Sequence, residues 1–204
     1  ETVTIPAAVK SIGANAFNGC AALSNINSDT ELFTVPDTIA YIGESAFAGC
    51  KSLKSLIIEG NAILGISAFA SCENLAAVKI SGNTPEGKEA VDTVIWPAAF
   101  RGCTNLKVAT LDANVTAIGI DAFRDTPLET ISLPSSLISI DYGAFSNTRL
   151  SAITIPDSVT NLGGFNVGIF GSYKYDLYGV FAGCELLKTV KINNTEARTQ
   201  ALTI

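Results

Sequence analysis

Histidine and methionine are absent from this chain of 204 residues, and charged side chains are scarce. Without His the chain lacks the commonest general base and the commonest metal ligand. That excludes Ser-His-Asp and Cys-His chemistry. Charged residues amount to 16% against 48% hydrophobic, the reverse of the balance that keeps a chain disordered. The apolar runs all fall well short of the roughly 20 residues that span a bilayer, so a membrane helix is not expected. Nine Lys and four Arg are scattered along a chain of net charge −6. A nucleic-acid surface needs them clustered, so that partner class is excluded. No Gly-Lys pair is followed by Ser or Thr, which removes the Walker type of phosphate loop. No Lys has a Ser three residues before it. Glu86, Glu89 and Asp92 share one insertion containing Gly and Pro, which reads as a solvated surface rather than paired catalytic carboxylates. The expectation is a protein that is not an enzyme and holds no cofactor or metal.

The missing Met has a second meaning. The chain opens inside a repeat unit, at Glu1-Thr2-Val3-Thr4-Ile5-Pro6, and the expectation is that a leader, a signal peptide or a longer N-terminal part precedes it. Secretion is permitted by this reading.

What the chain has in abundance is one stretch restated. Ile12-Gly13-Ala14-Asn15-Ala16-Phe17-Asn18-Gly19-Cys20 returns as Ile42-Gly43-Glu44-Ser45-Ala46-Phe47-Ala48-Gly49-Cys50, and again around Phe69. Later copies centre on Phe100, Phe123, Phe145 and Phe181. The anchors are separated by 30, 22, 31, 23, 22 and 36 residues. The base period is therefore 22 to 23, with extra sequence in three gaps, and a period of that size signals a solenoid.

Each unit carries an alternating apolar pair of strand type, such as Leu56 and Ile58, Val78 and Ile80, or Ile153 and Ile155. Pro6, Pro36, Pro134 and Pro156 follow such pairs and end the strand. Gly13, Gly43, Gly65, Gly119 and Gly163 come after the next apolar pair, where a tight bend is expected. The Ala-Phe stretch is too short for a full helix and predicts a helical or 3₁₀ turn. One unit cannot bury its own Phe. Stacked units can, with strands parallel about 4.8 Å apart and each ring on the next.

This unit resembles the leucine-rich repeat of the bacterial BspA type, found in surface and secreted proteins, across essentially residues 1–192. The resemblance implies a right-handed solenoid, mostly β with short helical turns. Seven anchors give about seven coils in a single domain over 1–204, with residues 193–204 read either as a cap or as the start of a further coil. It also implies adhesion or protein binding at the cell surface or outside the cell. Two units depart from the pattern, with Thr126 and Thr148 where Cys is expected, and the unit at Phe181 is interrupted.

Cys20, Cys50, Cys72, Cys103 and Cys184 each lie three residues after an anchor Phe. Identical phase and an odd count suit a ladder of buried thiols better than disulfides.

Two surfaces compete for a binding role. The outward positions of the strand face are Thr4, Asn27, Thr34, Ile57, Lys79, Thr110, Ser132, Thr154 and Lys191. They read as an ordinary solvated sheet, although repeat solenoids commonly bind on such faces. The second surface is the insertion 164–178, which holds three of the five Tyr and two of the ten Phe among glycines. Its aromatics suit recognition of a protein or glycan, with Phe170, Tyr173, Tyr175 and Tyr178 as candidates. Folding back as a lid fits the same composition. The polar insertions near Ser28–Leu32 and Ser81–Thr93 read as loops, with Trp96 packing near the latter. A structural spacer that displays another domain is the alternative to a binding module.

Overall fold

A computed structural model describes residues 1–26, 32–60, 62–81, 92–112, 114–163 and 179–192. Sixteen short strands are found there. In chain order they are β1 (Thr2–Val3), β2 (Ser11–Ile12), β3 (Asn25–Ile26), β4 (Leu32–Val35), β5 (Tyr41–Ile42), β6 (Ser55–Ile58), β7 (Ile63–Leu64) and β8 (Ala77–Ile80). They continue as β9 (Thr93–Ile95), β10 (Val108–Leu111), β11 (Val115–Ile118), β12 (Thr130–Ser132), β13 (Ser139–Ile140), β14 (Ala152–Ile155), β15 (Asn161–Leu162) and β16 (Thr189–Ile192). Leu32 and Thr93, read from sequence as loop ends, open β4 and β9.

Every pairing is parallel and joins one coil to the next. The alternating apolar pairs form a first wall, in which β4, β6, β8, β10 and β12 are consecutive neighbours. The residues just before the conserved-phase Gly form a second, seven-stranded wall from β2 to β15. Register places Phe33, Leu56, Val78, Ala109 and Ile131 in one inward row. Val190 alone among the expected inward residues is exposed, at 38%.

The Ala-Phe stretch supplies a third wall, and it is a run of turns rather than a helix. In the coils of Phe17 to Phe123, amides two before, at and two after the anchor Phe donate to the next coil: Asn15 N to Glu44 O at 2.8 Å, Phe17 N to Ala46 O at 2.7 Å, and Gly19 N to Ala48 O at 2.7 Å. The intervening amides close turns within the coil, as Ala16 N to Gly13 O and Cys20 N to Phe17 O do. Alternating peptide directions of this kind need left-handed backbone. It is found at both flanking phases, with φ of 57° at Asn15, 52° at Ser45 and 56° at Asp121, and 73° at Gly19, 59° at Asp125 and 58° at Asn147. No right-handed helical turn tolerates those angles. Of the residues that fill the two phases, Asn, Asp and Gly adopt such angles at least cost, while Ser45, Ser67, Ser71 and Ala98 are held there by the wall.

The Gly after each Ile serves a different purpose from the bend expected of it. Gly43, Gly65 and Gly119 have ordinary φ, but a Cβ at each would stand 2.5 to 2.8 Å from backbone of the preceding coil. They are small because coils touch there. Gly163, with φ of 76°, is the one of the series that bends.

Inside the three walls the anchor rings form a continuous stack. Phe17, Phe47, Phe69, Phe100, Phe123, Phe145 and Phe181 follow one another with centroids 5.1 to 5.7 Å apart and ring planes within 8 to 14° of parallel. Phe33 adds an edge-on contact to Phe47 at 5.2 Å. The five inner rings are fully buried. Each contributes about 2–3 kcal/mol by burial and about 0.5–1.5 kcal/mol more through its ring contacts.

Two outcomes are expected in urea unfolding of the full chain. Phe100→Ala should cost about 3–5 kcal/mol, because rings on both sides lose a partner, and Phe17→Ala, at the half-buried end, clearly less. Ala98 is the one Ala held at positive φ (57°) among the described residues, so Ala98→Gly should raise stability by about 1 kcal/mol.

Candidate functional site

The strand face is a regular surface. Register aligns Thr34, Ile57, Lys79, Thr110 and Ser132 in one outward row, and Thr154 with Lys191 in its continuation. Beside it runs the row Leu32, Ser55, Ala77, Val108 and Thr130, with Leu32 and Val108 exposed. Its ion pairs, Lys79 with Asp112 at 3.9 Å and Lys107 with Glu129 at 3.7 Å, lie among half-exposed side chains. Such pairs are worth little. Thr4 is exposed, and Asn27 lies outside the described residues.

Phe170, Tyr173, Tyr175 and Tyr178 also lie outside the described residues, as do Glu86, Glu89 and residues 193–204. Asp92 is exposed. Trp96 is half-buried, directly after β9.

The expected ladder of buried thiols holds for the inner cysteines, whereas Cys20 is exposed and Cys184 half-buried. Cys50, Cys72 and Cys103 are buried, and each Sγ donates to the carbonyl of the preceding coil's Phe, at 3.2 Å to Phe17, Phe47 and Phe69. Cys184 does the same to Phe145 at 3.0 Å. Burial pushes the Cys50 thiol up to about 12, with Cys72 and Cys20 adding to the effect. The hydrogen-bonded Cys103 thiol, together with burial, raises that of Cys72. These groups are held as neutral donors and are poor nucleophiles. Thr126 bonds instead to its own coil, Oγ1 to Phe123 O at 2.7 Å.

The Thr coils also differ from the Cys coils in length. In the Cys coils a Leu follows the anchor Phe by six residues, as Leu23, Leu53, Leu75, Leu106 and Leu187 do. In the two Thr coils it follows by five, at Leu128 and Leu150. The first wall parts between these two shortened coils. No ladder joins β12 to β14 among the described residues. The result is a cleft of about 370 Å³ lined by Ile131, Leu133, Ala152, Ile153, Thr154 and Pro156.

Two groups of ionisable residues stand elsewhere. On the turn wall, Asp121 lies 3.4 Å from Arg124 and 3.7 Å from Arg101, and Asp125 lies 3.5 and 3.8 Å from the same two guanidinium groups. Burial raises the Asp121 carboxyl, against the pull of both arginines. The cluster balances its own charge and is read as a clasp between coils. Asp141 is a different case. It occupies the phase of Gly119 and Gly163, is fully buried, and neither carboxylate oxygen meets a hydrogen-bond partner among the described residues. Burial pushes it up to about 7. Among the described residues no group of three or more His, Cys, Asp or Glu is placed to hold a metal ion, and no helix is long and apolar enough to cross a membrane.

Parallel coils, inward Ile pairs and a Phe-to-carbonyl thiol ladder together define the repeat. Over residues 1–90 and 93–201 it matches the BspA type leucine rich repeat region, in six copies. The chain belongs to that family. In fold, this BspA-type chain is similar to a leucine rich cell surface protein from Faecalibacterium prausnitzii A2-165, with 27% identity and a TM-score of 0.64, covering 95% of this chain and 48% of that one. It is also similar to a leucine-rich repeat protein from Eubacterium ventriosum ATCC 27560, with 25% identity and a TM-score of 0.66, covering 86% of this chain and 44% of the other. The chain thus spans about half the length of these two solved structures. No protein among the curated ones matches it.

The buried carboxyl sets a pH dependence. Its folded value near 7 stands above the ordinary 3.8, so the folded state prefers the neutral acid. Below about pH 4 Asp141 costs nothing through ionisation. As pH rises towards 7 the unfolded chain ionises first and stability falls, by roughly 4 kcal/mol in full for a shift of about three units. Asp141→Asn should remove that decline between pH 4 and 7, read from urea midpoints across the range.

Proposed function

We propose that this chain is a non-enzymatic binding module displayed outside the cell or at its surface, recognising a protein or a glycan in an adhesive role. The observation that carries the reading is where the period is broken. The gap from Phe145 to Phe181 is 36 residues on a scaffold of 22 to 23, and the added sequence holds Phe170, Tyr173, Tyr175 and Tyr178. Tyr gives large contact area for little lost side-chain freedom, and its hydroxyl adds a hydrogen bond. A scaffold with fully buried anchor rings can hold such a segment without contributing chemistry of its own. Membership of the BspA-type family and likeness to a protein named for the cell surface support the location.

The chain is read as one domain over 1–204, with 193–204 covering the last coil. A spacer that displays a further domain is the second reading. It is favoured by the coverage of less than half of the Faecalibacterium and Eubacterium structures.

Arrays of extracellular-matrix proteins and glycans probed with the full chain test the choice. Binding that is lost in the double variant Tyr173→Ser, Tyr175→Ser, at unchanged melting temperature, is the expected result. A lowered melting temperature would assign those rings to packing, and no ligand on any array would favour the spacer.

A further inference from the structure

The cleft between β12 and β14 is a gap in the first wall between coils that stay joined on their other walls. On the second wall the same two coils are joined without interruption, Ala117 and Ile118 to Ser139 and Ile140, and those to Asn161 and Leu162. On the turn wall Phe123 N reaches Ala144 O at 2.8 Å, and the Phe123 and Phe145 rings stack at 5.7 Å. Only the first wall opens. It is closed at one end, where Arg149 N donates to Leu128 O at 3.0 Å, and the strands diverge from there. Almost all Cα pairs between β12 and β14 lie beyond 8 Å, whereas paired strands run about 4.8 Å apart. The opening is of the order of two strand spacings, about 9.6 Å.

Two local features accompany the opening. Both flanking coils have the shortened turn, and both strands run into proline, Pro134 and Pro156. Pro156 has no amide to offer the Leu133 carbonyl, so the last rung cannot form.

What lines the opening is main chain and aliphatic carbon. Thr130 N faces β10, where it donates to Lys107 O. By the alternation of a parallel strand, the N–H and C=O groups of Ile131 and Leu133 then face the gap. The Ser151 carbonyl faces the β16 side, where it accepts from Lys188 N, so those of Ala152 and Thr154 face the gap from across it. Below them Ile131 and Leu133 are half-buried, whereas Leu56, Ile58, Val78, Ile80, Ala109 and Leu111 in the same phases are at most 2% exposed.

We propose that this cleft is a strand-accepting slot for an extended peptide carrying branched aliphatic side chains at alternate positions. Two facing edges with free amides and carbonyls at a two-residue spacing are complementary to a peptide backbone, which offers both groups on both sides. A sugar offers hydroxyls without that spacing. The peptide completes the first wall, and its inward side chain covers Ile131 and Leu133. The inference rests on the binding reading above and adds to it a second site with its own chemistry, whose variants are separate from those of Tyr173 and Tyr175.

The test uses ¹⁵N-labelled full chain and a synthetic hexapeptide of alternating Thr and Ile, with amide hydrogen exchange read residue by residue. In the free chain the amides of Ile131, Leu133, Ala152 and Thr154 should exchange rapidly, and the peptide should slow them by about tenfold or more. The same peptide N-methylated at alternate amides should have no effect. Thr154→Pro removes one slot amide that β16 does not use and should abolish protection by the unmodified peptide. Slow exchange at these amides without peptide would overturn the proposal, as would protection confined to the terminal strands or equal binding of the N-methylated peptide. Loss of the slot with retained Tyr-dependent binding would sink this inference alone.

Discussion

Stacking of one aromatic ring on the next is the constraint to which the rest of this chain answers. A coil of 22 residues has no second layer of its own, so its Phe is dry only when another coil lies on each side. Rings in face-to-face contact at 5.1 to 5.7 Å set the rise of the column, close to the spacing that backbone hydrogen bonds demand of parallel strands. The two requirements agree, and three walls of hydrogen bonds can form around one stack. Where coils meet most closely only Gly fits, and the thiols bridge to the preceding carbonyls as small apolar groups with a hydrogen to give.

The exceptions follow from the same constraint. Asp141 stands in a glycine phase and brings a carboxylate into a place without partners, which burial keeps near neutral. Thr126, in place of Cys, turns its hydroxyl to its own coil. The bond that would have crossed to the coil before is replaced by one that does not, in the unit whose strand then separates from the next. Local departures therefore collect around β12 to β14, between two coils that remain fastened on their other walls.

Much of this was readable in the residues. Seven Phe in one phase announced the stack, and the alternating pairs announced the first wall, down to Phe33 and Val35 facing inward. The turns were expected to be helical or 3₁₀ because a stretch as short as Ala-Phe-x-Gly-Cys, read in one unit, has no other visible signature. Asn15, Ser45 and Asp121 two residues before each ring were the sign of left-handed backbone, and they carry meaning only when compared across units. The Gly after Ile was assigned to bending, since approach of a neighbouring coil cannot be seen in one unit. The one-residue shortening at Leu128 and Leu150 was visible too, but a parted wall is a relation between two coils. The insertion 164–178 has no repeat partner to be compared with, so its residues gave composition and no geometry.

Ring spacing takes no notice of chain length. Phe69 to Phe100 spans 31 residues and Phe123 to Phe145 spans 22, yet both pairs sit 5.7 Å apart. Added sequence leaves at the corners between walls and returns without displacing the column, and closing a longer loop costs only slowly more. Such a fold can acquire or exchange whole corner segments by insertion while its interior stays under unchanged selection, so novelty in recognition need not be purchased with stability.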